Sequence, residues 1–231
     1  MFTCKIADTV FSVKNKYHYL HALMADYSSD EVPSYTLSVS ENELAAASAA
    51  EGDFPPEVHE SLLIYRKMLS VLADKNAFLM HSSLLSLNGK GYVFTAKSGT
   101  GKTTHSLLWK RLFGAEIING DKPIYKLENG KIYGYGTPYA GKEGFNKNSR
   151  VPVKAVCFLF QAKENTIRRL TAHEVILKIF DQVHLPEERE KKERVLALLD
   201  KMITDLPFYY LGCNISDEAA ELSHGIMTKG E

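Results

Sequence analysis

Residues 96–104 read AKSGTGKTT and carry the strongest structural signal in the chain. The string has the form of a phosphate-binding loop, G-x-x-x-x-G-K-[ST], except that Ala96 stands where a first glycine is usual. Gly99 and Gly101 allow the backbone to curl, so that several amide N–H groups point inward at an anion. An ordinary surface turn rich in Gly, Ser and Thr is the alternative. The order of strand, loop, GKT and helix favours the phosphate site.

The residues on either side of the loop fit the same interpretation. Residues 91–95 predict a buried strand that enters the loop, and residues 103–113 predict the helix that leaves it, whose N-terminal dipole favours an anion. We expect Lys102 to meet the β- and γ-phosphates of ATP or GTP and the Thr103 hydroxyl to bind Mg²⁺. The residues expected to hold the nucleotide are Ser98, Gly99, Thr100, Gly101, Lys102, Thr103 and Thr104.

Composition limits the classes of protein to which the chain can belong. Its 231 residues are enough for one large domain or for a domain with a small appendage. Hydrophobic residues make up 45% and charged residues 24%, which predicts a folded core rather than disorder. The net charge of +0 argues against a nucleic-acid or anionic-membrane partner. The apolar run over residues 155–160 is too short to span a bilayer.

The N-terminus and the cysteines predict a cytoplasmic protein. Residues 1–14 lack the uninterrupted apolar segment of a secretion signal. Cys4, Cys157 and Cys213 are odd in number and widely spaced, which suits a reducing compartment rather than a disulfide framework. A homo-oligomer remains open at this point.

Residues 1–75 carry no catalytic motif and predict a small N-terminal α/β module. Ser40 and Glu43 form a capping box at the start of an alanine-rich helix, and Pro56 suits the first turn of the next helix. The predicted elements are strands over residues 3–13 and 35–39 and helices over residues 41–50 and 56–74. We expect this module to pack on or regulate residues 76–231.

From residue 77 the pattern changes to strands joined by tight turns, which predicts a mostly β core with helices around it. Asn-Gly pairs at 88–89 and 129–130 indicate two hairpin turns. The predicted strands cover residues 78–87, 91–95, 116–119, 123–127, 131–135, 152–160, 166–170 and 208–211, with residues 152–170 as a third hairpin. The later helices are predicted over residues 172–183, over residues 186–204 and from residue 217 onward.

Two further residues are candidates for chemistry beside the loop. Asp121 follows a short apolar strand, as a metal-binding acid does in phosphate-loop proteins, and there it can hold Mg²⁺ or accept a proton from a hydroxyl. His81 lies on the strand before the loop, within reach of the same site. The alternatives are an ordinary aspartate at a strand-to-turn transition and a histidine satisfied within the core.

A glycine-rich stretch over residues 137–144 supplies a third candidate. Lys142 within it, and Arg150 shortly after it, can neutralise charge on a transferred phosphoryl group. A long surface loop with solubilising lysines is the alternative.

The part of the chain over residues 78–170 resembles bacterial proteins related to HPr kinase/phosphorylase, which share their nucleotide-binding core with phosphoenolpyruvate carboxykinase. His81 matches a histidine on the strand before that family's loop, and residues 96–103 match its G-x-S-G-x-G-K-[ST] pattern except at Ala96. The family has an Asp-Asp pair after the next strand, whose second member is the catalytic base, and here only Asp121 is retained, after Gly120. The 137–144 loop looks like that of small HPr-kinase-like proteins associated with peptide modification.

This resemblance implies a fold, a chemistry and a role for each candidate. The fold is α/β, a carboxykinase- and HPr-kinase-like core over residues 76–231 with the small module of residues 1–75. The implied activity is transfer of the terminal phosphoryl group from ATP to a hydroxyl, on a peptide serine or a small molecule, with Asp121 as base and His81 and Lys142 assisting. Because Gly120 replaces an acid, a non-catalytic ATP-binding adaptor is the alternative function.

Overall fold

The computed structural model describes residues 1–52 and 54–229, and the chain divides into two compact units, Met1–Lys75 and Asn76–Glu231. Each unit contains both helices and strands, so the expected mixed α/β class is confirmed. Among the helices in those described ranges, none is both long and apolar enough to cross a membrane.

The first unit is a small sheet accompanied by helices. Its elements are β1 (Phe2–Ile6), β2 (Thr9–Lys14), α1 (His18–Leu23), a 3₁₀ turn (Ala25–Tyr27), β3 (Tyr35–Ser38), α2 (Glu41–Glu51) and α3 (Pro56–Ala73). In its described part, three strands pair in the order β1-β2-β3, the first pair antiparallel and the second parallel. Both α1 and α2 pack against α3.

Two local features of this unit bear on the sequence predictions. The capping box is confirmed, because the Glu43 amide donates to Ser40 Oγ at 3.3 Å and the Ser40 amide donates to Glu43 Oε2 at 2.8 Å. The single strand predicted over residues 3–13 is wrong. Ala7 and Asp8 adopt φ of 48° and 60°, and two successive residues in the left-handed region make the tight turn of a hairpin.

The second unit contains the phosphate-loop sequence. Its strands are β4 (Ala77–Leu79), β5 (Ser83–Leu87), β6 (Lys90–Thr95), β7 (Glu116–Asn119), β8 (Ile124–Glu128), β9 (Lys131–Tyr135), β10 (Arg150–Gln161), β11 (Thr166–Arg169) and β12 (Phe208–Cys213). Its helices are α4 (Lys102–Phe113), α5 (Ala172–Ile179), a 3₁₀ turn (Phe180–Gln182), α6 (Arg189–Asp205) and α7 (Asp217–Met227).

The strands of the described residues in this unit form one curled sheet in which β10 joins two halves. The path is β4-β8-β9-β10-β6-β5-β7, and β12 pairs with both β10 and β11. The start of β10 is antiparallel to β9, whereas its middle is parallel to β6, with a register shift between Val153 and Ala155. Because β6, β7, β10 and β12 all run in the same direction, their carboxyl ends meet at one edge of the sheet.

Two strand predictions in this unit are wrong, one for the extent of a strand and one for a pairing. Residues 78–87 do not form one strand, because β4 pairs with β8 while β5 pairs with β6 and β7, and the chain crosses between the two halves at residues 80–82. Residues 152–170 do not form a hairpin, because β12 lies between β10 and β11. The helix predicted over residues 172–183 ends at Ile179 and continues as a 3₁₀ turn.

The core beneath the carboxyl edge sits between the sheet and two helices. Helix α4 contacts α7 and the strands β5, β6 and β7. Trp109 of α4 is fully buried in this cluster with Phe94 and Leu211, and its Nε1 donates to Ser223 Oγ of α7 at 2.8 Å. This packing fixes α4, and therefore the loop at its N-terminus, against the end of β6.

Candidate functional site

The phosphate-loop sequence forms a tight turn between the end of β6 and the start of α4. Gly99 has φ of 78°, and Gly101, the N-cap of α4, has φ of 114°, so both adopt backbone conformations that L side chains rarely take. Ala96 is not among the residues with positive φ, and it is buried in the core cluster. An alanine therefore fits at the position where a first glycine is usual.

Lys102 is the first residue of α4, and its side chain folds back across the loop. Its Nζ donates to the Ala96 carbonyl at 3.0 Å, and the residue is 8% exposed. Burial lowers the pKa of the Lys102 ammonium from its usual value, and the carboxylate of Asp121 opposes that shift. Since an ammonium group has three donors, the bond to Ala96 leaves two donors for an anion in the adjoining cleft.

Asp121 is held in a turn at the end of β7 by a buried asparagine. The Oδ1 atom of Asn119 accepts hydrogen bonds from the backbone amides of Asp121 at 2.9 Å and Lys122 at 2.7 Å. Its Nδ2 donates to the Thr137 carbonyl at 2.9 Å, and Asn119 is 0% exposed. This side chain thus ties the aspartate turn to the start of the glycine-rich loop.

His81 and Asp121 form a direct pair. His81 Nε2 lies 2.9 Å from Asp121 Oδ1, and both side chains are about one-quarter to one-third exposed. The hydrogen bond from His81 lowers the pKa of the Asp121 carboxyl below its ordinary value, burial opposes this, and the charges of His81, Lys122 and Lys102 add to the lowering. Asp121 is therefore ionised at neutral pH.

The backbone around His81 explains how this residue reaches the site. His81 lies in the crossing between β4 and β5, where its amide donates to the Gln182 carbonyl at 2.7 Å and its carbonyl accepts from Thr95 Oγ1 at 2.8 Å. The next amide, that of Ser82, donates to the Asp121 carbonyl at 3.0 Å. The break between β4 and β5 therefore places His81 beside the end of β7.

These residues line one cleft with a volume of ≈ 460 Å³. Its wall is formed by residues predicted from the sequence together with a few of their neighbours: His81, Ser98, Gly99, Gly101, Lys102, Thr103, Thr104, Gly120, Asp121, Gly141, Lys142 and Glu143. Lys142 is exposed at the rim, on the turn that contains Gly141. A Cβ atom at Gly141 would lie 3.2 Å from Asp121 Cβ, so this turn packs closely on the aspartate.

Two of the predicted residues lie outside this cleft. Thr100 faces two neighbouring cavities, and its carbonyl accepts a hydrogen bond from Gln161 Nε2 at 3.4 Å. Arg150, expected to neutralise charge on a phosphoryl group, instead pairs with Glu128 and donates to the Tyr135 hydroxyl at 2.7 Å. Its guanidinium lies over the rings of Tyr133 and Tyr135 on the paired strand β9, so Arg150 serves the β8–β9–β10 pairing.

Sequence reasoning missed three residues that position the site. Asn119 was included only as the end of a strand, and Thr137 only as the start of a loop, although each is fully buried and polar. The third is Gln182, in the 3₁₀ turn after α5, whose backbone carbonyl accepts a hydrogen bond from the His81 amide. The available signal was the polar run His81–Ser83 inside an apolar stretch, which marks an interrupted strand.

The donor groups in the cleft are suited to a hard cation. Mg²⁺ prefers oxygen ligands and is commonly held by one or two protein oxygens together with phosphate oxygens and water. The Thr103 hydroxyl and the ionised Asp121 carboxylate supply oxygens of this kind in the same cleft. Across residues 1–52 and 54–229, no group of three or more His, Cys, Asp or Glu side chains is arranged to hold a metal ion.

Comparison with known proteins gives a distant likeness in fold. No family model matches the chain, and no curated protein matches it. Among solved structures, the chain is similar to the Hpr(Ser) kinase/phosphatase from Coxiella burnetii, with a TM-score of 0.40 and 13% sequence identity, over 65% of this chain and 88% of that chain.

Proposed function

We propose that this chain is an ATP- and Mg²⁺-dependent phosphotransferase that moves the terminal phosphoryl group to a hydroxyl of a peptide serine or a small molecule. The observation that carries the proposal is the meeting of Lys102, Asp121 and His81 in one cleft at the mouth of the loop. These residues come from three separate segments, and together they supply a phosphate-binding cation, an anion beside it and a partner for that anion.

The loop and the first turn of α4 bind the nucleotide phosphates in this proposal. The backbone amides of residues 98–103 and the Lys102 ammonium hold the β- and γ-phosphates. Lys102 keeps its bond to Ala96 and turns its remaining donors to the phosphate oxygens. GTP is the alternative nucleotide.

Thr103 and Asp121 hold Mg²⁺ in this proposal, directly or through water. The ion neutralises negative charge on the β- and γ-phosphates when it is bound. Lys142, exposed at the rim, adds a cation near the transferred group. Glu143 lies beside it, so the rim carries both signs of charge.

The transfer itself is a displacement at the γ-phosphorus. The acceptor oxygen forms the new O–P bond, the bond between the γ-phosphorus and the bridging oxygen breaks, and ADP leaves with that electron pair. The acceptor proton moves to Asp121. Because His81 engages Oδ1, the second carboxylate oxygen accepts the proton, so in this step Asp121 meets Mg²⁺ through water, and His81 keeps the group oriented.

A nucleotide-binding adaptor without transfer chemistry is the second candidate, and Gly120 favours it. A Cβ at this position would lie 3.3 Å from the Ala140 carbonyl oxygen and 3.4 Å from Phe145 Cβ. The backbone around Gly120 is therefore too close to take an acidic side chain without movement, and Asp121 is left as the acid of this turn.

Nucleotide titration separates this proposal from a surface turn without a ligand. We expect Lys102→Ala to lose most ATP affinity in isothermal titration calorimetry while keeping the wild-type far-UV circular dichroism. Lys110→Ala is the matched control, because this substitution removes the same charge from an exposed position on the same helix. Equal ATP affinity in Lys102→Ala and wild type would refute the assignment of the loop.

Transfer of ³²P from labelled ATP to free serine or serine-containing peptides distinguishes the enzyme from the adaptor.

A further inference from the structure

The position of Asp121 sets the direction in which a nucleotide must lie on the loop. Asp121 follows β7, which lies beyond β5 on one side of β6. On the other side of β6 lie β10 and then β12. A γ-phosphate placed near Asp121 therefore directs the rest of the nucleotide along the carboxyl edge, toward the ends of β10 and β12.

Two cavities adjoin the loop on that side of β6. The first, which we call the α4-side cavity, has a volume of ≈ 390 Å³ and includes Thr104, Leu108, Ala162, Cys213 and Ile215. The second, the α5-side cavity, has a volume of ≈ 580 Å³ and includes Phe160, Leu177, Lys178, Asp181 and Tyr210. Each is large enough for a small planar ring, so their chemistry must decide between them.

The α4-side cavity has the lining that a nucleobase requires. A base has two apolar faces and a polar edge, and small-molecule sites are mostly apolar with a few polar groups. Leu108, Ala162 and Ile215 supply apolar walls, and the carboxamide of Gln161 supplies a polar group. Ile215 is 83% exposed, so a large apolar side chain stands at the mouth of this cavity in contact with water.

The loops around the α4-side cavity are already ordered by their own hydrogen bonds. The Ala162 amide donates to the Cys213 carbonyl at 3.0 Å, which joins the end of β10 to the end of β12. The Asn214 amide donates to Asn165 Oδ1 at 3.0 Å, and its Nδ2 donates to the Lys163 carbonyl at 3.1 Å. A site held in this way loses little conformational freedom when a ligand binds.

The α5-side cavity is less suited to a base. Phe160 stacks on Tyr210 at 4.3 Å between ring centroids, and Lys178 Nζ lies 4.5 Å from the centroid of the same ring. The Tyr210 ring thus already has two neighbours in contact with it, which leaves less of its aromatic surface for a base. A base there would also displace water from Lys178 and Asp181, and desolvation of charged groups is costly.

We propose that the α4-side cavity binds the nucleobase of the nucleoside triphosphate, with Ile215 and Leu108 contacting the base. This assignment rests on the proposed function of the loop. It gives the nucleotide an order along the edge of the sheet, with the base beside β10 and β12, the phosphates on the loop and the γ-phosphorus near Asp121.

A comparison of ATP with inorganic tripolyphosphate tests the assignment, because tripolyphosphate has the phosphates but no base. We expect Ile215→Ser to weaken ATP binding about five- to tenfold, since each buried methylene contributes to affinity, and to leave tripolyphosphate binding unchanged. Ile215→Leu should retain wild-type ATP affinity. Leu177→Ser is the matched control, because Leu177 is 71% exposed and lines the α5-side cavity.

The outcomes separate this inference from the proposed function. If wild type binds tripolyphosphate but Ile215→Ser binds ATP as wild type does, the base assignment is refuted and the phosphate site stands. Weaker ATP binding in Leu177→Ser alone would move the base to the α5-side cavity and also refute the assignment. If wild type binds neither ATP nor tripolyphosphate, both the phosphate site and the base assignment are overturned. Both substitutions are at exposed positions, so circular dichroism should show folded protein in each case.

Discussion

Replacement of Asp121 by asparagine removes the charge and the basicity of the proposed base while keeping its shape. In the structure, Asp121 Oδ1 lies 2.9 Å from His81 Nε2, and the Asp121 amide donates to Asn119 Oδ1 at 2.9 Å. An asparagine can keep the contact with His81 through its own oxygen and keeps the backbone bond to Asn119. We therefore expect Asp121→Asn to fold and to bind ATP.

The expected loss is in the transfer step. A general base contributes about 10²- to 10⁴-fold to such reactions, so the single-turnover rate of Asp121→Asn should fall by about 100-fold or more. Because the hydrogen bond from His81 lowers the pKa of Asp121, this carboxylate is a weak base, which favours the lower part of that range. ATP affinity should change by much less than the rate, because Lys102 and the loop remain intact.

Rapid quench with ³²P-labelled ATP and an accepting peptide or free serine measures this rate. Asp181→Asn makes the same chemical change at an exposed position on the α5-side cavity and should transfer at the wild-type rate. An Asp121→Asn enzyme that transfers phosphate as fast as wild type would refute the role of Asp121 as base. A wild type that binds ATP but labels no serine-containing acceptor would favour the adaptor.

Two further predictions follow from the contacts of Asp121 and Asn119. The pKa of Asp121 is lowered from 3.8 on folding, so its pairing stabilises the protein above pH 3.8, and this stabilisation is lost as the pH falls through the lower, folded value. In urea titrations, the difference in unfolding free energy between wild type and Asp121→Asn should therefore be constant near neutral pH and shrink below pH 3.8. A difference that grows in acid would contradict this. Asn119→Ala leaves two partly buried amides and a buried carbonyl without their partner, so it should cost about 3 kcal/mol of unfolding free energy and also slow transfer by displacing Asp121. Asn42→Ala, at an exposed position on α2, is the control and should change neither.

The site could be predicted from the sequence only where its signal is local. The loop of residues 96–104, the acid after β7 and the histidine before β6 were all visible as residue types at characteristic places along the chain. Asn119 and Thr137 were not, because their importance comes from hydrogen bonds across 18 positions of sequence. Arg150 was visible as a cation near the loop, yet its partner is Glu128, and the choice among acids is made by strand pairing.

The same distinction holds for the fold. The sequence by itself determined the features that depend on neighbouring residues: the capping box at Ser40, the hairpin turns at the two Asn-Gly pairs, and the glycines that let the phosphate loop curl. Only the tertiary structure decided that β12 lies between β10 and β11, and that the chain breaks at residues 80–82 so that His81 meets Asp121. The physical reason is that a strand's alternating pattern specifies which face is buried but not which strand lies beside it, since backbone hydrogen bonds are the same for any partner and the choice is made by packing of the whole core.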